Sequence, residues 1–165
     1  MKKKHLIAAL ICLAGLAVAA LQGLHFTALT IRLPDQNNKL AFVVPMETGE
    51  RFTLVYRHSV EKTWIKGVFQ VGQGPGILTV ETRMTSVGTG LPNTFPNRTR
   101  QEGEWLVVDE GMAPIPPFRF FLARINRPLI KTPRRDLDLL LLNQGTIILV
   151  GVESLPIYLY WKYFV

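Results

Sequence analysis

The stretch Arg51-Phe52-Thr53-Leu54-Val55-Tyr56-Arg57-His58-Ser59-Val60 decides the fold class of this chain. Its residues alternate. Phe52, Leu54, Tyr56, His58 and Val60 fall on one face, and Thr53, Val55, Arg57 and Ser59 on the other. Strands present successive side chains to opposite faces, so this period of two marks a half-buried β-strand. The same signal continues outward. Leu40–Val44 reads as a short strand before a turn at 45–50. Trp64–Val71 alternates with Ile65, Gly67, Phe69 and Val71 together. Gly72-Gln73-Gly74-Pro75-Gly76 is a turn, and Ile77–Thr85 is a further strand with Leu78, Val80 and Met84 on one face.

Beyond residue 85 the pattern weakens. Residues 86–101 hold Gly88, Gly90, Pro92 and Pro96 with little periodicity and read as a long ordered loop. Trp105–Val108 and Phe118–Ile125 are short strand candidates separated by Pro114, Pro116 and Pro117. Asn143-Gln144-Gly145 between Leu137–Leu142 and Thr146–Val152 is a hairpin signal. Ile157–Val165 reads as a last, aromatic strand. A second membrane span over Thr146–Val165 is disfavoured by Glu153, Pro156 and Lys162. Closely spaced turn signals predict an all-β fold: a single small antiparallel β-sandwich or partly open barrel.

Ahead of this domain lies a different kind of sequence. Lys2, Lys3 and Lys4 precede an apolar run from Leu6 to Leu21. A basic flank before an apolar segment is the signature of a segment that enters a membrane with its N-terminus inside. Leu6–Phe26 approaches the roughly 20 residues a transmembrane anchor needs. Ala17-Val18-Ala19 fits the small-x-small exit of a cleaved signal, so cleavage after Ala19 is the alternative. Residues 1–29 are therefore expected to be an anchor or signal helix, and residues 30–165 an extracytoplasmic β domain. The expected location is the cytoplasmic membrane with the domain outside, or secretion if the segment is cleaved.

Composition narrows the functions. The 165 residues carry 19 basic and 12 acidic side chains. Three of the seven excess charges are the lysines of the flank. No base-reading motif accompanies the rest, and nucleic acid is not an expected partner. The one cysteine, Cys12, lies in the leader, preceded by Ile11 where lipidation wants a small residue. Outside the leader only His58, and His25 if cleavage falls after Ala19, could supply imidazole ligands, so no metal and no cofactor is expected.

Three clusters are site candidates. His58 and Ser59 fall on opposite strand faces, which prevents a serine–histidine pair and makes a hydrolase the least favoured activity. His58 can be a buried core histidine, a ligand or a pH-sensitive group. Gly88-Thr89-Gly90-Leu91-Pro92 can turn backbone N–H groups toward an anion or can be a tight turn; it lacks the lysine of a phosphate loop. Arg119, Arg124, Arg127, Lys131, Arg134 and Arg135 form a basic stretch with interleaved aromatics. It suits a solvated face, lipid headgroups or a protein partner.

The run Tyr56-Arg57-His58-Ser59-Val60-Glu61-Lys62-Thr63, followed by Gly88-Thr89-Gly90-Leu91-Pro92, resembles the bacterial domain-of-unknown-function 1850 family. The resemblance is clear over Leu40–Pro92. It implies a small protein with an N-terminal membrane segment and an accessory role, without an established activity, at a TRAP transporter of the TAXI type. The expected function is a non-enzymatic one, with His58, Ser59, Gly88, Gly90, Leu91 and Pro92 shaping a surface or pocket. Gly67 stands where many members carry an acidic residue, so no carboxylate partner for His58 is implied from that position. The alternative is a stand-alone small-molecule or lipid-binding module, its aromatic C-terminus lining a cavity.

Overall fold

The structure, a computed structural model, describes residues 23–86 and 97–164. In chain order the strands are β1 (His25–Leu33), β2 (Lys39–Pro45), β3 (Arg51–Arg57), β4 (Trp64–Val71), β5 (Ile77–Met84) and β6 (Thr99–Glu102). They continue as β7 (Trp105–Ile115), β8 (Phe118–Phe121), β9 (Leu129–Lys131), β10 (Asp136–Asp138) and β11 (Ile147–Pro156). One α-helix, α1 (Ile157–Phe164), ends the described chain. Among the described elements the fold is all-β apart from this helix and three 3₁₀ turns. Among the described residues no helix is long and apolar enough to cross a membrane. The expected N-terminal helix lies outside the described residues.

The strands form two antiparallel sheets. One has four strands in the order β2-β1-β11-β8, the other seven in the order β10-β9-β3-β4-β5-β7-β6. Both contribute to one apolar core. Leu29 and Ile31 of β1 and Ile148 and Val150 of β11 meet Phe52 and Leu54 of β3, with Val71, Ile77 and Ile130. An aromatic column crosses between the sheets. Phe52 stacks on Phe69 at 5.2 Å, Phe69 on Phe118 at 5.1 Å, and Tyr56 meets Phe120 edge-on at 5.2 Å.

Four details of the sequence reading change. Residues 25–29, expected as the tail of the leader, are strand: His25 pairs with Pro156, and Ala28 and Leu29 are fully buried. In β5 the inward residues are Ile77 and Met84, an odd spacing that simple alternation forbids. A bulge against β4, where Glu81 pairs with Val68 and Thr79 with Phe69, leaves one extra residue in β5 and resets the parity. Asn143-Gln144-Gly145 is not a hairpin turn, because β10 pairs with β9 in one sheet and β11 with β1 and β8 in the other. Gly145 still adopts φ +81, and its amide donates to the Leu122 carbonyl at 2.8 Å.

The fourth change is the C-terminus. Ile157–Phe164 is helix, not strand. Pro156 closes the β11 ladder opposite His25, and Ile157 N–H donates to the Leu24 carbonyl at 2.8 Å. The outer face of the four-stranded sheet carries buried Ala28, Val43 and Leu155. Leu159, Tyr163 and Phe164 cover them. A strand would also put residues 159 and 163 on one face but would turn Phe164 to the other, whereas the helix lets all three pack on the sheet.

The strand directions give the domain two ends. At the first, Leu24 enters β1, Met46 N–H bonds Thr27 O, Gly49 N–H bonds Val71 O, and α1 begins. We call this the leader end. At the other end β3 turns into β4 after Arg57, β5 stops at Met84 opposite Ile65, and β11 begins at Ile147. The nine residues of β1 separate the two by roughly 30 Å.

Candidate functional site

The turn joining β3 to β4 occupies the end away from the leader. The strand expected over Arg51–Val60 stops at Arg57, and His58 is the first turn residue rather than the last core residue. Its N–H donates to Thr63 O at 2.8 Å, and Lys62 N–H returns to His58 O at 3.0 Å. Lys62 reaches this geometry at φ +58. The imidazole caps the turn: Glu61 N–H donates to His58 Nδ1 at 3.2 Å. Arg57 Nε donates to Lys62 O at 2.7 Å, and Lys62 Nζ to Ser59 O.

This geometry assigns the imidazole nitrogens. An Nδ1 that accepts from an amide leaves the proton of the neutral ring on Nε2. Nε2 has no partner among the described residues and is available as a donor. Ser59 and Val60 project at the tip, with Val60 70% exposed. Thr63 Oγ1, at the base of the turn, is buried without a partner among the described residues. The turn thus offers a fixed hydrogen-bond donor, a hydroxyl and an apolar contact on one small protrusion. Nothing in it aligns Ser59 with His58 as a nucleophile and base, because the ring nitrogen facing the chain is taken by Glu61.

The second half of the motif, Gly88, Gly90, Leu91 and Pro92, lies outside the described residues. The topology still relates its attachment to the turn. β5 runs antiparallel to β4, so Met84 stands opposite Ile65, next to Trp64. Thr85 and Ser86 therefore leave the sheet at the end that carries His58 and Ser59. Pairing of β3, β4 and β5 brings the departure points of both runs to one sheet end.

Gly67 is elsewhere. It pairs with Leu54 inside β4, three residues and about 10 Å along the strand from Trp64. A Cβ there would meet the Phe69 ring at 3.0 Å. Gly67 borders a cavity of about 230 Å³ between the sheets, lined also by Tyr56, Ile65, Thr82, Phe118 and Phe120. Burial pushes the Tyr56 phenol above its ordinary pKa. Thr82 Oγ1, at the polar edge of the cavity, donates to Glu110 Oε1 at 2.8 Å. An acidic side chain at position 67 would point toward this cavity, not toward His58.

The basic stretch is divided between the two ends. Arg134 binds Glu47 at 3.1 Å and also Glu50. Arg135 donates to Val43 O at 2.6 Å and lies over the Phe164 ring. These two residues fasten the leader end. Arg124 and Arg127 sit at the motif end beside Leu140, Leu141, Asn143 and Gln144, around an open cavity of about 670 Å³. They have no acidic partner among the described residues. Arg119 is on β8 and Lys131 on β9, both exposed. One continuous basic face is therefore not formed.

Sequence reading missed a polar cluster on the outer face of the four-stranded sheet. Arg32 Nε and Nη2 grip the two Glu153 oxygens at 2.8 and 2.7 Å, and Thr30 Oγ1 adds a bond to Oε1 at 2.7 Å. The Arg32 bonds hold the Glu153 carboxyl below its usual range; burial opposes this and the Thr30 bond assists. Its only sequence signal was an acid and a base in otherwise apolar strands. Among the described residues no group of three or more His, Cys, Asp or Glu could hold a metal.

The sequence model of one family, described as "Domain of unknown function (DUF1850)", matches residues 52–139, just over half the chain. The match spans the β3–β4 turn and the Gly88–Pro92 run. No curated protein matches the chain, and no solved structure does.

Proposed function

The chain belongs to the DUF1850 family, and from that premise we propose that it is a membrane-tethered, extracytoplasmic accessory protein of a solute importer, without an activity of its own. The TRAP-TAXI class of importer is what the family resemblance implies. The observation that carries the reading is the polarity of the domain. Chain from the apolar leader joins at Leu24, while the His58–Ser59–Val60 protrusion occupies the opposite end. A tether at one end would hold the other roughly 30 Å from the leader junction, at a height suited to meeting a neighbouring extracytoplasmic surface. Arg124 and Arg127, free of acidic partners among the described residues, and exposed Leu141 share that end. Arginine beside apolar side chains is the composition that protein interfaces favour.

A second reading has its own support. The apolar cavity between Gly67, Tyr56 and Phe120 would suit a small ligand, making the domain a binding module. A native mass spectrum retaining a small molecule would favour it. The C-terminal aromatics are not in this cavity; Tyr160 of α1 instead lines, with Phe26, Met46 and Arg134, an open cavity of about 450 Å³ at the leader end.

Co-purification from membranes at native expression tests the accessory role. The full chain is expected to bring down an integral-membrane transport subunit. His58→Ala and Ser59→Ala are expected to reduce recovery without lowering the amount of the protein itself. Recovery of no membrane partner would overturn the proposal. Identification of the mature N-terminal residue, with membrane fractionation, separates a retained anchor from cleavage after Ala19.

A further inference from the structure

Helix α1 has a second apolar face that the fold leaves uncovered. Leu159, Tyr163 and Phe164 face the sheet. Tyr158, Trp161 and Lys162, spaced i, i+3 and i+4, share the opposite side. Tyr158 is 61% and Trp161 60% exposed. A surface helix in water normally turns a charged or polar face outward. Here the outward set is one tyrosine, one tryptophan and one lysine, the residue types that concentrate where a bilayer meets water.

The position of this face is fixed by a hydrogen bond. Ile157 N–H donates to Leu24 O at 2.8 Å, so the helix starts where the chain arrives from the leader. Leu24 itself is 55% exposed and continues the patch. Phe26, just inside β1, meets Tyr160 edge-on at 5.4 Å and ties the helix to the same corner. The chain ahead of this corner is the apolar run Leu6–Leu21. A span ending at residue 22 or 23 would put its outer boundary within a residue or two of Leu24, and so beside α1.

We infer that α1 is an interfacial helix, with Tyr158 and Trp161 in the headgroup layer of the membrane the leader enters and Lys162 among the lipid phosphates. This rests on the tether in the proposed function. It adds that the domain is docked at its leader end rather than swinging on a flexible stalk. The occupant of the face is the lipid surface: a short helix lying in the interface with aromatic and basic side chains needs no further partner. Docking would also fix the orientation of the His58 end, because α1 and β1 belong to one packed unit.

The test uses the full chain in phosphatidylcholine–phosphatidylglycerol vesicles containing lipids brominated either near the headgroup or near the chain end. Trp64→Phe with Trp105→Phe leaves Trp161 as the only tryptophan; Trp105→Phe with Trp161→Phe leaves Trp64. Trp161 is expected to lose most of its emission with shallow bromine and little with deep bromine. Trp64, at the motif end, is expected to lose none. As a measurement with Trp64 and Trp105 intact, Trp161→Phe alone should remove the bromine-sensitive part of the natural emission. If the protein floats with the vesicles and Trp161 is as insensitive as Trp64, the interfacial helix is refuted while the tether stands. Shielding of Trp161 from aqueous iodide without bromine quenching means a protein covers the face, and refutes it too. Failure to float refutes the tether and this inference together.

Discussion

Replacing Glu153 with Gln removes a charge beneath α1 while keeping the side chain's shape. In the natural protein both carboxylate oxygens accept from Arg32, and Oε1 also accepts from Thr30. Glutamine keeps one acceptor and turns an amide against a guanidinium donor, so one charge-assisted bond is lost and another is weakened. Bonds to charged groups contribute about 1.5–3 kcal/mol each, and exposed ion pairs far less. The Arg32 and Glu153 side chains are 22% and 29% exposed, which places the loss near about 2 kcal/mol. For a domain of this size that lowers Tm by roughly 6 °C. The pH dependence has a definite sign. The Arg32 bonds hold the folded carboxyl below its unfolded value, so its contribution is full above about pH 5 and disappears as pH falls through the folded pKa. Glu50 and Glu81 are also held low. Burial is outweighed by the Glu47 amide at Glu50 and by Arg83 and Arg100 at Glu81, but both act equally in the two proteins and cancel. Thermal unfolding of the full chain in micelles, followed by near-UV circular dichroism, should show the full difference at neutral pH and a closing gap in acid. A difference that is absent at neutral pH, or unchanged in acid, would refute this account of the cluster.

Three further outcomes are expected. Phe52→Ala, at a site 1% exposed and stacked between the sheets, should cost about 3–5 kcal/mol in urea unfolding. Gly145→Ala forces a Cβ into left-handed backbone and should cost about 1–2 kcal/mol, although nothing crowds the position. In an ultraviolet pH titration Tyr56 should ionise late, because burial raises its pKa, and Tyr56→Phe should delete that late component. The same raised value means stability falls as pH climbs above about 10, through the folded pKa of Tyr56.

The strands of the seven-stranded sheet were the most legible part of the sequence. β3, β4 and β5 each have one face in the core and one toward solvent, so alternation reported them directly. Where alternation misled, a nonlocal event was responsible. One extra residue of β5 at its bulge against β4 reversed the parity of Ile77. Asn143-Gln144-Gly145 has hairpin chemistry, but its flanking strands are recruited by different sheets. The aromatic C-terminus has high strand propensity, yet Ala28, Val43 and Leu155 needed cover, and a helix supplied it. Of the site, the spacing of the two motif runs was readable, while the capping role of His58 was not. Extrapolating the strand put His58 on the core face; the left-handed Lys62 and the Glu61 amide place it in the turn instead. The division of the arginines between two ends also depends on acidic partners, Glu47 and Glu50, far away in sequence.

Photo-cross-linking from position 60, at the tip of the motif turn, in native membranes tests the central claim most directly. With a cross-linker replacing Val60, the account expects covalent capture of an integral-membrane transport subunit, and loss of that capture when His58→Ala is added. Absence of any membrane-protein adduct from this position at native expression would contradict it.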